Sequence, residues 1–474
     1  MESTQQSDRE TYRAIVLGQG GNELLLNPVS DGFRLPLVEI PRWQRIAENL
    51  TAAMRTEWGH EVVCLFKPDL SAPIFSADDH NYHVMESNGP VAESSPRAEW
   101  VRVASLSEEV FVDPADYMAV RRSLAECAGY SDGVAPGPFA KLGWFGELQR
   151  WIEEVIGPLG FHLTGSFSQL NASPSFSLVR FETSGAAVWF KAVGKPNLRE
   201  FPITLAIARL LPRYLPPILA ARPEWNGWLA LEVEGSNLGE TQDTGHWNVA
   251  ASALAELQIE STDRIGALIN SGARDLRTSA LLKLVRPFLD AMGQLMEKQT
   301  KVPPSVLSRS ELISLGDQIE EALSLSTDLG IPNALGHLDL NPGNVTVSQG
   351  QCVFLDWAEA HVGNPLFSFQ YLLEHFRRMA GRDATVEAGL TSAYAEEWQS
   401  VVSPENLQEA IALTPMLAVF AYAVATDAWG DQAGLRDPKV AGYLRSLTRR
   451  MHREASGLRD RSAAFLCDQL GLPV

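Results

Sequence analysis

Short apolar runs of strand length open the chain, and the rhythm changes twice further on. Tyr12-Arg13-Ala14-Ile15-Val16-Leu17 and Glu23-Leu24-Leu25-Leu26 flank Gly18-Gln19-Gly20-Gly21-Asn22, a turn between two neighbouring strands. Pro41 then opens a stretch with Ile46, Leu50, Ala53, Met54 and Trp58 at helical spacing, and Gly59 ends it. Val62-Val63-Cys64-Leu65-Phe66 follows as a strand. The order strand, strand, helix, strand predicts a compact α/β or α+β unit. Ser131-Asp132-Gly133-Val134-Ala135-Pro136-Gly137-Pro138 has no apolar period and is rich in Gly and Pro, which marks a boundary.

Beyond it, an amphipathic helix is predicted around 147–156, then strands at 161–164, 177–181 and 187–191. A helix over 200–211 carries Ile203, Ala206, Ile207 and Leu210 on one face. A hairpin over 218–231 turns at Trp225-Asn226-Gly227. After Ser236 the spacing is mostly helical, except near 331–356, and no internal repeat is evident. The most apolar stretch, 415–425, is shorter than the ~20 residues that span a bilayer and reads as a buried helix.

Composition narrows the partners. At 474 residues the chain has room for two to four domains of roughly 100–200 residues. Its 39 Lys and Arg against 58 Asp and Glu give a net charge of −19, which disfavours bulk-charge binding of nucleic acid or anionic membranes. The balance tilts toward cationic ligands. Cys64, Cys127, Cys352 and Cys467 form no C-x-x-C pair, so neither a zinc site nor a disulfide framework is expected. The polar start, Met1 to Asp8, lacks the build of a signal peptide, and a cytoplasmic location is expected.

Chemistry concentrates in Gly336-His337-Leu338-Asp339-Leu340-Asn341-Pro342-Gly343-Asn344-Val345, followed by Cys352-Val353-Phe354-Leu355-Asp356-Trp357. Asn341-Pro342-Gly343 imposes a tight turn, and the flanking apolar triplets read as a strand pair. Asp339 and Asn344 therefore sit on a loop before one strand, and Asp356 ends the other. Phosphoryl transfer uses such a set: a carboxylate to orient and deprotonate a hydroxyl, an amide oxygen on Mg²⁺, and a second carboxylate bridging metal and phosphates.

This segment resembles the aminoglycoside phosphotransferase and choline kinase family, relatives of the protein kinases, and the resemblance covers about residues 160–400. It implies a bilobal protein-kinase-like fold: an antiparallel-sheet N-lobe over 145–235 and a mainly helical C-lobe over 236–474. It implies Asp339 as catalytic base, His337 as the loop-organising histidine, Asn344 and Asp356 as Mg²⁺ ligands, and ATP or another nucleoside triphosphate as donor. Lys191, held by Glu200, would aim at the α- and β-phosphates. Ser173 and Ser175, within 171–175, would cover the phosphates without a G-x-G-x-x-G motif, and Glu232 marks the adenine-binding hinge. Two departures from the family pattern, Leu338 for Gly and Asn364 for Asp, touch no phosphate-handling group.

Acceptor selection then falls to the helical lobe, where Glu374, Glu396, Glu397, Asp427 and Asp431 are candidates to hold an amine. The expected acceptor is a hydroxyl of a small molecule, cationic in one version, with no nucleic acid or membrane partner and with an oligomer allowed. The alternatives are a peptide Ser/Thr acceptor and a nucleotide-binding pseudokinase. Residues 1–135 are more faintly similar to the Nudix fold. When a Nudix box is aligned on Gly59, its Arg-Glu pair falls on Ala52 and Ala53 and the first of its paired Glu on Thr56, and only Glu57 remains. This implies an accessory domain without hydrolase activity, which positions the acceptor or mediates assembly; an unrelated α+β recognition domain is the alternative.

Overall fold

The computed structural model describes residues 8–70, 81–89, 97–131, 137–241, 243–348, 350–379, 383–431 and 433–470, with the side chains at 129–131, 427 and 459–470 left aside. Most of the expected 131–138 boundary lies outside the described residues. The chain divides into two compact units, one made of 1–201 with 217–232, the other of 202–216 with 233–474.

The first unit begins with β1 (Arg9–Leu17), β2 (Glu23–Val29), β3 (Gly32–Arg34) and β4 (Leu37–Pro41). Pro41 thus closes a strand instead of opening the helix. Helix α1 (Ile46–Ala53) starts five residues later and runs into a π-turn, Met54–Trp58, which Gly59 ends at φ 73. Strands β5 (Val62–Phe66), β6 (Asn81–Ser87) and β7 (Glu99–Arg102) complete a seven-stranded sheet of order β3-β2-β1-β6-β5, with β4 on β1 and β7 on β2. The sheet is mixed: β1 runs parallel to β6 and antiparallel to β2 and β4. Helices α2 (Pro114–Ser131) and α3 (Trp144–Ile156) follow.

The strands β8 (Leu163–Ser173), β9 (Phe176–Thr183) and β10 (Val188–Ala192) then lead into helix α4 (Glu200–Leu210) and the hairpin β11 (Ile218–Arg222) and β12 (Gly227–Leu231). These strands form a five-stranded antiparallel sheet of order β11-β12-β10-β9-β8. Alternation explains it: on β9, Ser177, Val179, Phe181 and Thr183 are buried while their neighbours are not. Trp144, Phe145, Leu148, Ile152 and Ile156 make the buried stripe of α3. Their core is shared by Leu17, Leu24, Val63 and Leu65 of the first sheet and by Phe167, Val179, Phe181 and Phe190 of the second. A second tie is polar. Gln169 of β8 accepts from Cys64 N at 2.7 Å and donates to Cys64 O at 3.0 Å, pairing like a strand with β5.

The second unit takes the rest of α4, then β13 (Ser236–Asn237), α5 (Thr244–Ser261), α6 (Ile265–Asn270), β14 (Arg274–Leu276), α7 (Thr278–Glu297) and α8 (Arg309–Asp328). Four short strands follow: β15 (Ala334–His337), β16 (Val345–Ser348), β17 (Gln351–Phe354) and β18 (Ala360–Gly363). Helices α9 (Leu366–Met379), α10 (Ala384–Trp398), α11 (Pro404–Ala425) and α12 (Pro438–Leu470) close the chain. Two three-stranded sheets, β13-β16-β17 and β14-β18-β15, bracket the loop 338–344. The apolar stretch at 415–425 belongs to a 22-residue helix, α11, long and apolar enough to cross a membrane; 61% of its most apolar window is buried inside the protein. It lies in a core with α7, α8 and α12.

Candidate active site

His337 ends β15 with its ring fully buried between two pieces of the site. Its Nδ1 accepts from the Asp339 amide at 3.1 Å, so the proton sits on Nε2, which donates to Leu355 O at 2.9 Å. Burial pushes the imidazole below its ordinary value, which keeps it neutral and fit for one acceptor and one donor. One ring therefore fixes the loop that carries Asp339 and the strand end that carries Asp356. The Trp357 ring packs against it at 4.9 Å. From behind, Ser368 Oγ in the first turn of α9 accepts from His337 N at 2.7 Å.

Asp339 stands exposed at the turn. Its carbonyl accepts from the Asn341 amide at 2.8 Å and from Asn344 Nδ2 at 3.0 Å. Asn341 Oδ1 accepts from Gly343 N at 2.9 Å and so caps a short 3₁₀ turn, Pro342–Asn344. Strand β13 supports the turn from outside, where Asn237 Nδ2 donates to Gly343 O at 2.9 Å. With its nitrogen committed to Asp339 O, the Asn344 side chain leaves its oxygen without a hydrogen bond among the described residues. Asp356 is exposed at the end of β17, and its backbone is left-handed, at φ 61 and ψ 64. Non-glycine residues seldom adopt that conformation, and Asp tolerates it better than most.

Asp339, Asn344 and Asp356 are thus joined through one histidine and two backbone contacts. Among the described residues no three His, Cys, Asp or Glu side chains group to hold a metal ion. The oxygens of Asn344 and Asp356 are hard donors of the type Mg²⁺ takes together with substrate phosphates and water, so the residues fit that ion when a nucleotide supplies the remaining ligands.

In the first unit, Lys191 on β10 pairs with Glu200, the first residue of α4, at 2.5 Å, and both side chains are largely buried. The ammonium also lies 5.8 Å from the Trp228 ring centroid. Ser173 and Ser175 belong to a tight β8–β9 turn, in which Ser173 pairs with Phe176 and Ser173 Oγ accepts from Phe176 N at 3.1 Å. Strand β8 runs to Ser173, well past the expected end at 164, so 171–175 is a strand end and a two-residue turn instead of an open loop. Glu232 accepts from Arg180 at 2.6 and 2.8 Å and from Trp189 Nε1 at 3.0 Å, and Arg180 holds its carboxyl below the ordinary range. Its amide donates to Ala187 O at 2.9 Å.

The acidic candidates of the helical region separate. Glu374 is bound by Arg450, by Gln370 Nε2 at 3.0 Å and by Arg378 at 3.5 Å, which neutralises it. Asp431 Oδ1 accepts from Ala433 N in its own turn. Glu397 on α10 has its carboxyl raised by burial and by the nearby charges of Glu256 and Glu396. The Asp427 side chain lies outside the described residues. Asn364 caps α9 by accepting from Leu366 N at 2.9 Å and also donates to Ser326 Oγ, which is why an amide serves there. Ser368 was not foreseen. Nothing in the local sequence marks a serine one turn into a helix as the partner of a strand amide 31 residues away.

Residues 209–401 match the phosphotransferase enzyme family. The matched region holds His337, Asp339, Asn344 and Asp356, whereas Lys191 and Glu200 precede it. No curated protein sequence matches the chain significantly. Among solved structures, the macrolide 2′-phosphotransferase of Brachybacterium faecium is 17% identical at a TM-score of 0.44, covering 63% of this chain and 98% of its own. The choline kinase of Streptococcus pneumoniae is 18% identical at 0.41, covering 66% and 99%. A spectinomycin phosphotransferase solved with ADP and spectinomycin is 10% identical at 0.38, covering 65% and 98%.

Proposed function

We propose that this protein is a phosphotransferase that moves the terminal phosphate of ATP to a hydroxyl of a small molecule. The observation that carries the reading is the buried neutral His337, which bonds the Asp339 amide on one side and Leu355 O on the other. It holds two carboxylates and the Asn344 amide at the ends of one hairpin, as phosphoryl transfer requires. Asp339, exposed, accepts the proton of the acceptor hydroxyl as the oxygen attacks. Asn344 and Asp356 would hold Mg²⁺, whose chemistry is to neutralise charge on the phosphate oxygens. Lys191, aimed by Glu200, adds an ammonium for the α- and β-phosphates.

The test is turnover of MgATP by the full chain against a panel of hydroxyl acceptors, read by phosphate incorporation into the acceptor. Wild-type transfer that Asp339→Asn abolishes supports the reading. Equal transfer by both proteins overturns the base, and no transfer with any hydroxyl compound overturns the function.

A further inference from the structure

The tip of the β8–β9 hairpin is gripped by the segment that joins α2 to α3. The Phe139 amide donates to Pro174 O at 3.0 Å. Gly137 makes this approach possible, since a Cβ there would stand 2.2 Å from Pro174 O and 3.0 Å from Ser175 Cα. Phe139 cannot drift, because its buried ring meets Trp144 at 5.0 Å, Trp225 at 5.5 Å and Phe190 at 6.2 Å. Phe190 is the residue before Lys191, so the donor is anchored on the lysine's own strand.

From the other side, Gly194 packs on Ser175, where a Cβ would lie 2.4 Å from the Ser175 Cβ. Register adds the rest: Lys191 pairs with Leu178 and Ala192 with Ser177, which puts the tip just past the lysine at the same end of the sheet. Lower on β8, Gln169 fixes the strand to Cys64 of the first sheet. The same segment reaches that sheet as well, because Gly143 N donates to Glu86 of β6 at 2.9 Å.

We propose that the N-terminal sheet and the 137–143 segment form a fixed brace that positions the hairpin tip Ser173-Pro174-Ser175 for the phosphates of the nucleotide. The inference rests on the phosphotransferase reading and assigns Gly137 and Phe139 as positioning residues for nucleotide binding. A short turn without glycine has little means of holding its own shape over a ligand, and the backbone clamp supplies it. This gives the N-terminal sheet a role in binding the donor.

The experiment compares wild type, Gly137→Ala and Gly160→Ala as full chains, measuring Kd for MgATP and for adenosine by calorimetry and Tm by scanning. Gly160, between α3 and β8 and outside the brace, is left-handed at φ 80 with open space around it, so its variant loses stability without touching the hairpin tip. Gly137→Ala should raise the MgATP Kd roughly ten- to hundred-fold while adenosine binding holds, because only the phosphates lose contacts. Gly160→Ala should bind both as wild type does. A Gly137→Ala protein that keeps its MgATP affinity, or that loses MgATP and adenosine in equal measure, overturns the brace. Absence of MgATP binding by the wild type would instead overturn the phosphotransferase reading on which it stands.

Discussion

A left-handed aspartate, Asp356, and two buried histidines, His337 and His361, carry the residue-scale expectations. Asp356→Asn should keep the wild-type Tm, because Asn tolerates φ 61 as Asp does, while the Mg²⁺ dependence of ATP binding weakens. Asp356→Ala confuses the two effects, since a left-handed residue with a plain Cβ costs about 1–2 kcal/mol. A Mg²⁺ titration identical in Asp356→Asn and wild type would remove Asp356 from the ligand set. Asp339→Asn should keep nucleotide affinity and lower kcat by roughly 10²–10⁴-fold, the usual worth of a general base. His361 is buried on β18 with neither ring nitrogen hydrogen-bonded among the described residues, and burial lowers its pKa to about 3. Its neutral form is favoured in the folded state. The stability it contributes is complete above the unfolded value near 6.5 and is lost as pH falls toward 3. Chemical denaturation across that window should show a shallower pH slope for His361→Leu, by up to about 1.4 kcal/mol per pH unit; parallel slopes would contradict it. The residue types and order of the loop were legible in the sequence, since Asn341-Pro342-Gly343 permits few backbones. The Ser368 contact and the bare ring of His361 were not, because each depends on what a neighbouring element brings to it.

At the scale of elements, periodicity located the helices near 147–156 and 200–211 and the hairpin turning at Asn226, which is left-handed as a tight turn needs. It failed on β8. Residues 165–173 are mostly polar, yet Phe167 and Gln169 face inward, and Gln169 is tolerated there because Cys64 satisfies both ends of its amide. Gln169→Leu should therefore leave Cys64 N and O unpaired in a buried site and cost about 1–3 kcal/mol, read from urea unfolding. A loss well under that would mean the strand tie is dispensable. Pro41 was misplaced for a related reason. Proline suits a helix start and a strand end alike, and the pairing of Arg9 with Pro41 settles which it is.

For the molecule as a whole, the shared core of the first unit carries the consequence. Leu17, Leu24, Val63 and Leu65 pack into one core with Phe145, Phe167 and Phe181. A chain that starts at about residue 137 would expose that apolar face, so it should be recovered as aggregate and not as a working transferase. A soluble, ATP-binding truncated protein, checked by size-exclusion chromatography and calorimetry, would show that the two sheets are independent after all. In the π-turn Met54–Trp58 that follows α1, Arg55 pairs with the nearby Glu61 at 2.8 Å.

By itself the sequence determined the residue types of the loop and part of the order of the elements. His337, Asp339, Asn344 and Asp356 are fixed by residue type and spacing, and strands and helices by local apolar period. Tertiary structure alone decided that one neutral imidazole joins the Asp339 loop to the Asp356 strand, that Glu232 spends its carboxylate on Arg180, and that the N-terminal sheet shares a core with the sheet of Lys191. Each of these joins residues far apart in the chain. Periodicity reports only which face of an element is apolar; the partner of that face is set by packing.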